Sequence, residues 1–361
     1  MEEALCLADV ERLAAAVLPA GVRDFVAGGS GGETTLEANR AALERVFVVP
    51  RVLRDVARCT TDAALLGRPV RMPVAVAPVA YQRLLHPEGE LAVARAAKRA
   101  GVPFTVSTLS SVPIERITAV GGTVWFQLYW LREPGRALDL VRRAEDAGAE
   151  AVMLTVDVPW MGRRLRDLRN RFALPDGVRA AHLAAAPSTA HRRPSGAGSA
   201  VAAHTGETFS SAVTWSSVAE LREHTRLPLV LKGVLSPEDA VRAAECGVDA
   251  VVVSNHGGRQ LDGAVPSIEA LPEVVAAVAG RCDVLLDSGV RGGTDVLRAL
   301  ALGACGVLLG RPVLWGLAAG GEAGASRVLE LLADELRDAL GLAGCPGVGA
   351  AGGLRTVRRG A

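Results

Sequence analysis

Lysine is almost absent: of the 40 basic residues only Lys98 and Lys232 are lysines, so arginine stands nearly wherever a positive charge is wanted and each lysine is informative. Also missing are blocks of like charge and any large excess of one sign. The formal net charge is +1 over 361 residues, which argues against a nucleic-acid or anionic-membrane surface and leaves a small molecule as the expected partner. The six cysteines (Cys6, Cys59, Cys246, Cys282, Cys305, Cys345) are scattered without a CxxC spacing, and no secretory leader pattern precedes them. A reduced cytoplasmic protein with buried thiols is the expectation. No apolar run reaches the roughly 20 residues of a membrane-spanning helix, so no membrane partner is expected.

What the chain does contain is alternation. From Arg71 onward, short β-branched runs interleave with amphipathic helical stretches. Eight candidate strands begin at Pro73, Pro103, Val124, Ala151, Leu227, Ala250, Asp283 and Gly306. Strands apolar on both faces and separated by helices imply a parallel sheet covered by helices. Eight such units predict an α/β fold, a (β/α)8 TIM barrel with its site at the C-terminal strand ends. A doubly wound open sheet is the alternative, but its polar residues should cluster at one switch point. Here they fall at nearly every strand end: Tyr129, Asp157, Lys232, His256, Asp287 and Arg311.

The chain reads as a single domain over 1–361. It has an N-terminal helical segment over 1–70, the barrel over 71–330 and a C-terminal helix and tail over 331–361. Thr34 and Glu37 have capping-box spacing, and Ser236 and Gly247 bracket a helix as N-cap and C-cap. The stretch 173–213 is rich in Ala, Ser, Gly and Pro and too long for an ordinary connection, so it is either a mobile lid or partly disordered. Its histidines, His182, His191 and His204, lack ligand spacing, and no metal site is expected. Lys98 lies on an amphipathic helix and reads as a solvated residue.

The run "VVVSNHGGRQLDG" (251–263) places His256 and Arg259 just past a strand end. In a barrel, Asp157 at the fourth strand end faces the same mouth, where its carboxylate can fix the imidazole tautomer and stabilise the protonated ring, as a general base requires. Arg259 and Arg164 bring two guanidinium groups to that mouth, suited to bidentate capture of a small carboxylate. Arg163, Arg166 and Arg169 read as surface charges. The last two strand ends, "LLDSGVRGG" and "LLGRP", have the form of a phosphate site in which Gly289, Arg291, Gly292, Gly310 and Arg311 supply N–H groups and charge. With Lys232 ending another strand, these features suggest a phosphorylated cofactor with an electron-accepting ring, whose developing negative charge the lysine stabilises. Pyridoxal phosphate is the alternative, though it needs no separate histidine base and two carboxylate-binding arginines.

Six stretches, "SNHGGRQLDG", "LDSGVRGGTDVLRALALGACGVLLGRP", "FQLYW", "LTVDVP", "GRRLRDLRNRF" and "TLEANRAALERVFVVPRVL", together resemble the FMN-dependent 2-hydroxy acid oxidase and dehydrogenase family over nearly the whole chain, least so in 173–213. Its hydroxymandelate-oxidising members are the most similar. The resemblance implies FMN as cofactor, His256 as base with Asp157 as its partner, Arg164 and Arg259 as the carboxylate clamp, and Tyr129 as a hydroxyl contact to substrate. It places Lys232 at the flavin N1 and O2 edge, and Ser107, Gln127, Thr155 and Ser254 at the ring system or ribityl groups. Asp287 goes to the ribityl chain, Arg291, Gly310 and Arg311 to the phosphate with Gly289 beside them, and the backbone at Val79 and Ala80 under the flavin. It further suggests a homotetramer, and since 173–213 has no amphipathic membrane-anchor pattern, oxygen is the expected acceptor rather than a membrane-coupled one.

Four positions depart from the family pattern. Phe25 replaces a tyrosine that touches the substrate carboxylate, Val79 a threonine, Leu109 a tryptophan and Ser288 a glycine. Phe25 and Leu109 make the pocket more apolar and roomier, so mandelate or 4-hydroxymandelate is the expected substrate, oxidised as the (S)-2-hydroxy acid to the 2-keto acid with release of hydrogen peroxide. Lactate or glycolate, or another electron acceptor, is the alternative. Tyr81 either lines the same pocket or packs beneath it.

Overall fold

The computed structural model describes residues 1, 3–183, 189–191 and 199–359. All eight candidate strands form and close into one parallel barrel: Val74–Val76, Phe104–Ser107, Val124–Leu128, Ala151–Thr155, Leu229–Val234, Ala250–Val253, Asp283–Leu286 and Gly306–Leu309. The eighth pairs with the first, Leu308 opposite Ala75, so no edge is left to solvent. Each strand is buried on both faces because its alternate residues point into the barrel or outward under helices. That is why the strands read as continuous apolar runs.

The pairing register sorts the inward residues into layers. Trp125 lies opposite Ala151, and Met153 opposite Val230. Leu285 lies opposite Val252. These residues, with Ala75, Ala250 and Leu308, form a core cluster of their own inside the barrel. An antiparallel hairpin, Ala63–Leu65 with Arg68–Val70, closes its N-terminal end with Leu65 and Val70. Two residues further along the strands, the same parity brings up Ser107, Gln127, Thr155, Lys232, Ser254 and Asp287 as a polar layer facing the C-terminal mouth.

The N-terminal segment supplies helices Leu7–Val17, Ala20–Ala27 and Thr34–Glu44. The expected capping box at Thr34 does not form. Glu33 holds the N-cap position, and Thr34 is already helical. The free amides of Gly32 and Thr35 donate instead to Asp262, at 2.7 and 2.9 Å, from the loop carrying His256. Ser236 does cap its helix, accepting from the Asp239 amide at 3.1 Å. The C-cap there is Cys246, with left-handed Gly247 just after it. Helix Arg311–Leu342 is broken at Gly320 and Gly321 and packs on Leu7–Val17 and Glu90–Ala100. Strand Thr356–Arg358 then pairs with Val46–Val48. Lys98 is exposed as expected.

Within the stretch expected to be a mobile lid or partly disordered, residues 184–188 and 192–198 lie outside the described residues. The described part is folded and includes helix Ala200–Thr208. His182 is buried, its Nε2 accepting from the Ile114 amide at 3.0 Å, with Nδ1 3.2 Å from the Thr108 carbonyl. Among the described residues no group of three potential metal ligands occurs, and no helix is long and apolar enough to cross a membrane. All six cysteines are free; only Cys345 is buried, the other five being half-buried rather than buried as expected.

Candidate active site

The histidine loop is built from its flanks inward. Asn255 and Asn39 exchange side-chain hydrogen bonds at 2.7 and 2.9 Å, and Asn255 Oδ1 also accepts from the Gly258 amide at 3.0 Å. Ser254 Oγ accepts from the His256 amide at 3.0 Å, and Ser288 Oγ from the Gly257 amide at 2.9 Å. These bonds hold His256 at φ +59, a left-handed conformation that a non-glycine residue keeps only when its surroundings impose it. Gly258, at φ +73, must be glycine for a second reason: a Cβ there would stand 2.6 Å from the Leu36 backbone.

His256 Nδ1 lies 2.9 Å from Asp157 Oδ1. A carboxylate accepts, so Nδ1 carries the proton and Nε2 keeps its lone pair. Burial is the main cause that lowers the His256 pKa below its ordinary value. Asp157 opposes the shift, while Lys232 and Arg164 reinforce it. The ring is therefore neutral at neutral pH and available as a base.

Lys232 is buried and donates to Ser254 Oγ at 3.0 Å, with Asp287 Oδ2 2.8 Å away. Burial alone would lower its pKa, but Asp287 and Asp157 together turn the net shift upward and keep the ammonium charged. Gln127 Nε2 donates to Thr155 Oγ1 at 3.0 Å, while its Oε1 accepts from Ser107 Oγ at 3.2 Å. Ser288 Oγ donates to Asp287 Oδ1 at 2.7 Å. The polar layer is thus internally bonded, and its members point at the mouth in fixed orientations.

One cavity at this mouth collects nearly all the expected residues: Phe25, Val79, Ala80, Leu109, Ser107, Tyr129, Thr155, Arg164, Lys232, His256, Arg259, Asp287, Ser288, Gly289, Arg291, Gly310 and Arg311 line it. Asp157, Gln127 and Ser254 stand behind the lining, each bonded to a residue that does line it. Tyr81 also lines it and is buried.

Positive charge is in excess here. Burial is the leading cause that lowers the pKa values of Arg164, Arg259, Arg291 and Arg311, and mutual repulsion adds to it at Arg259 and Arg311. Arg311 is pulled down to about 9. Arg164 Nε is buried with no hydrogen-bond partner. Arg259 donates to the Gly28 carbonyl at 2.6 Å, and Arg311 to the carbonyls of Val26, Gly28 and Gly257. A set of guanidiniums spent on carbonyls and lacking matching carboxylates fits two anions, a carboxylate and a phosphate. Arg166, read from sequence as a surface charge, keeps a partly exposed side chain and is ion-paired to Glu33 and Asp24.

Phe25 presents a ring where a phenol was absent. It stacks on Phe172 with centroids 4.5 Å apart, and the Arg259 guanidinium lies 5.6 Å from its ring centre. Among the lining residues not foreseen are Val158, Met161, Val201, Thr205 and Phe209. The last three carry the signal that finds them, a 201/205/209 spacing of one helical face, hidden in a stretch of loop-like composition.

The profile of a family described as FMN-dependent dehydrogenase matches residues 14–354. The chain is 64% identical over 350 residues to the 4-hydroxymandelate oxidase of Amycolatopsis orientalis, covering 97% of each. It is 47% identical over 344 residues to an L-lactate oxidase of a Nostoc species, covering 94% of each. A crystal structure of mandelate oxidase with (S)-4-hydroxymandelic acid matches with a TM-score of 0.96 at 63% identity, covering 98% of this chain and 99% of that one.

Proposed function

The chain belongs to the FMN-dependent dehydrogenase family, and on that premise we propose that it oxidises an aryl (S)-2-hydroxy acid, mandelate or 4-hydroxymandelate, to the 2-keto acid, with oxygen reduced to hydrogen peroxide. The observation that carries this is His256 held through Nδ1 by Asp157 at 2.9 Å in a cavity shared with the two arginines Arg164 and Arg259.

When bound, FMN supplies the electron-accepting ring that receives the two electrons leaving the substrate carbon. Arg291 and Arg311, with the backbone at Gly289 and Gly310, would hold its phosphate, Asp287 its ribityl chain, and Ser107 and Thr155 its polar edges, with Gln127 and Ser254 orienting Thr155 and Lys232 from behind the lining. Ser288 joins Asp287 to the histidine loop, and Val79 and Ala80 offer backbone beneath the ring. Lys232 brings a buried positive charge to the electron-rich edge. Arg164 and Arg259 bind the substrate carboxylate, and His256 Nε2 takes up the proton released as the carbon is oxidised. Asp157 stabilises the resulting imidazolium. Burial raises the Tyr129 pKa to about 12, so its hydroxyl stays protonated and donates to the substrate oxygen. Phe25 and Leu109 form apolar wall.

A cytoplasmic homotetramer completes the proposal, by resemblance to the family. The test is steady-state kinetics of the flavin-loaded protein on glycolate, lactate, mandelate and 4-hydroxymandelate, with peroxide monitored. The highest kcat/KM is expected for a mandelate; a preference for glycolate or lactate, or mandelates acting only as inhibitors, would overturn the aryl assignment.

A further inference from the structure

The apolar wall has a component from outside the barrel. Phe209 follows helix Ala200–Thr208, is 4% exposed, and lines the cavity together with Val201 and Met161. Its ring stacks on Tyr129 with centroids 4.5 Å apart and planes at 23°. Its position is set by the backbone. The Phe209 amide donates to the Thr205 carbonyl at 2.9 Å, the Ser210 amide to the Trp130 carbonyl at 2.9 Å, and the Arg132 amide to the Thr208 carbonyl at 3.1 Å. An antiparallel bridge joins Leu131 to Phe209. The segment after the fourth strand is thereby clipped to the segment that follows the third strand, the one carrying Tyr129.

We propose that Phe209 is a specificity-determining residue: its ring, held against Tyr129, grips the aryl group of the substrate and sets the preference for aryl over short alkyl 2-hydroxy acids. This rests on the aryl-acid reading above. The carboxylate and the reacting carbon are claimed by Arg164, Arg259 and His256, so the side chain of the acid must lie along the remaining apolar lining, to which Phe209 contributes a fixed aromatic surface. Aromatic rings favour stacked or edge-to-face contact with such a surface, and a methyl group gains little from it.

The experiment compares wild type with Phe209→Leu and Phe209→Tyr as holoenzymes, reading the ratio of kcat/KM for mandelate over lactate. The leucine variant should lower that ratio about tenfold or more, the size of effect that a small loss of pocket contact produces, while the tyrosine variant should preserve it. Phe209→Met, which keeps volume without the ring, carries the same test should the leucine variant not fold. Equal losses on both substrates would overturn the proposal and leave Phe209 as packing for Tyr129, and unchanged kcat/KM on both would overturn it outright. A wild type that prefers lactate refutes the aryl-acid reading separately. In that event the ratio of benzoylformate to pyruvate affinity, from flavin absorbance titration, still decides Phe209: a ratio unchanged between wild type and Phe209→Leu overturns its role, and a fall of tenfold upholds it.

Discussion

Replacing Asp157 by asparagine removes one charge and almost no volume, so it isolates what the carboxylate does for His256. The two side chains meet at 2.9 Å with 12% and 18% of their surface exposed, a partly desolvated pair in which the interaction is not spent on competition with water. The asparagine Oδ1 can still accept from Nδ1, so the tautomer survives. What is lost is the charge on the partner of the imidazolium. Hydrogen bonds to charged groups contribute about 1.5–3 kcal/mol, and at 1.36 kcal/mol per decade the rate of substrate oxidation should fall roughly 10- to 150-fold. The pH dependence supplies a second reading. In its proposed role His256 is a base only while neutral, so activity should be present above its folded-state pKa and lost as pH falls through it. Burial, Lys232 and Arg164 already place that pKa below the ordinary 6.5, and Asp157 is what holds it up. The acid limb of the wild type should therefore lie below 6.5, and in Asp157→Asn it should move lower still, beneath a reduced plateau. The assay is anaerobic stopped-flow bleaching of the flavin by substrate at a series of pH values. His256→Asn serves as the reference for complete loss of the base, worth about 10² to 10⁴ or more. An unchanged rate in Asp157→Asn, or an acid limb displaced upward, would refute the reasoning.

Arg259→Met should raise KM by tenfold or more with a smaller change in kcat, since it removes half of the carboxylate clamp and leaves the base; a pure kcat effect in steady-state kinetics would contradict this. Arg311→Glu should yield protein depleted of flavin, because it sets a negative charge where the phosphate is to be held; a full flavin-to-protein absorbance ratio after purification would show the assignment wrong. Gly258→Ala should cost about 2 kcal/mol or more, from a left-handed φ of +73 and a Cβ 2.6 Å from the Leu36 backbone; an unaltered thermal unfolding midpoint would disprove the strain.

The barrel was legible because its signal is local and repeated. Eight apolar runs, nearly all bounded by a polar residue, state strand, parallel sheet and mouth in turn, and the register makes Ser107, Gln127, Thr155, Lys232, Ser254 and Asp287 one layer by parity alone. The cap on Thr34–Glu44 was not legible. Thr34 and Glu37 obey a local rule, yet Asp262, far along the chain, supplies the carboxylate that the helix amides use. The ion-pair partners of Arg166 were hidden for the same reason, since Glu33 and Asp24 lie in another part of the chain.

Periodicity and residue chemistry act over a few neighbouring positions, so the barrel architecture was readable in the chain, together with candidates for the base, the carboxylate clamp and the anion-binding strand ends. Which groups meet was settled by the folded chain. It set the 2.9 Å between His256 and Asp157, which are 99 residues apart. It also sent Arg311 to the carbonyls of Val26, Gly28 and Gly257, and stacked Phe209 on Tyr129. The physical reason is that hydrogen bonds and ring contacts are fulfilled by whatever atom lies within a few ångströms, and barrel closure, not chain proximity, determines which atom that is.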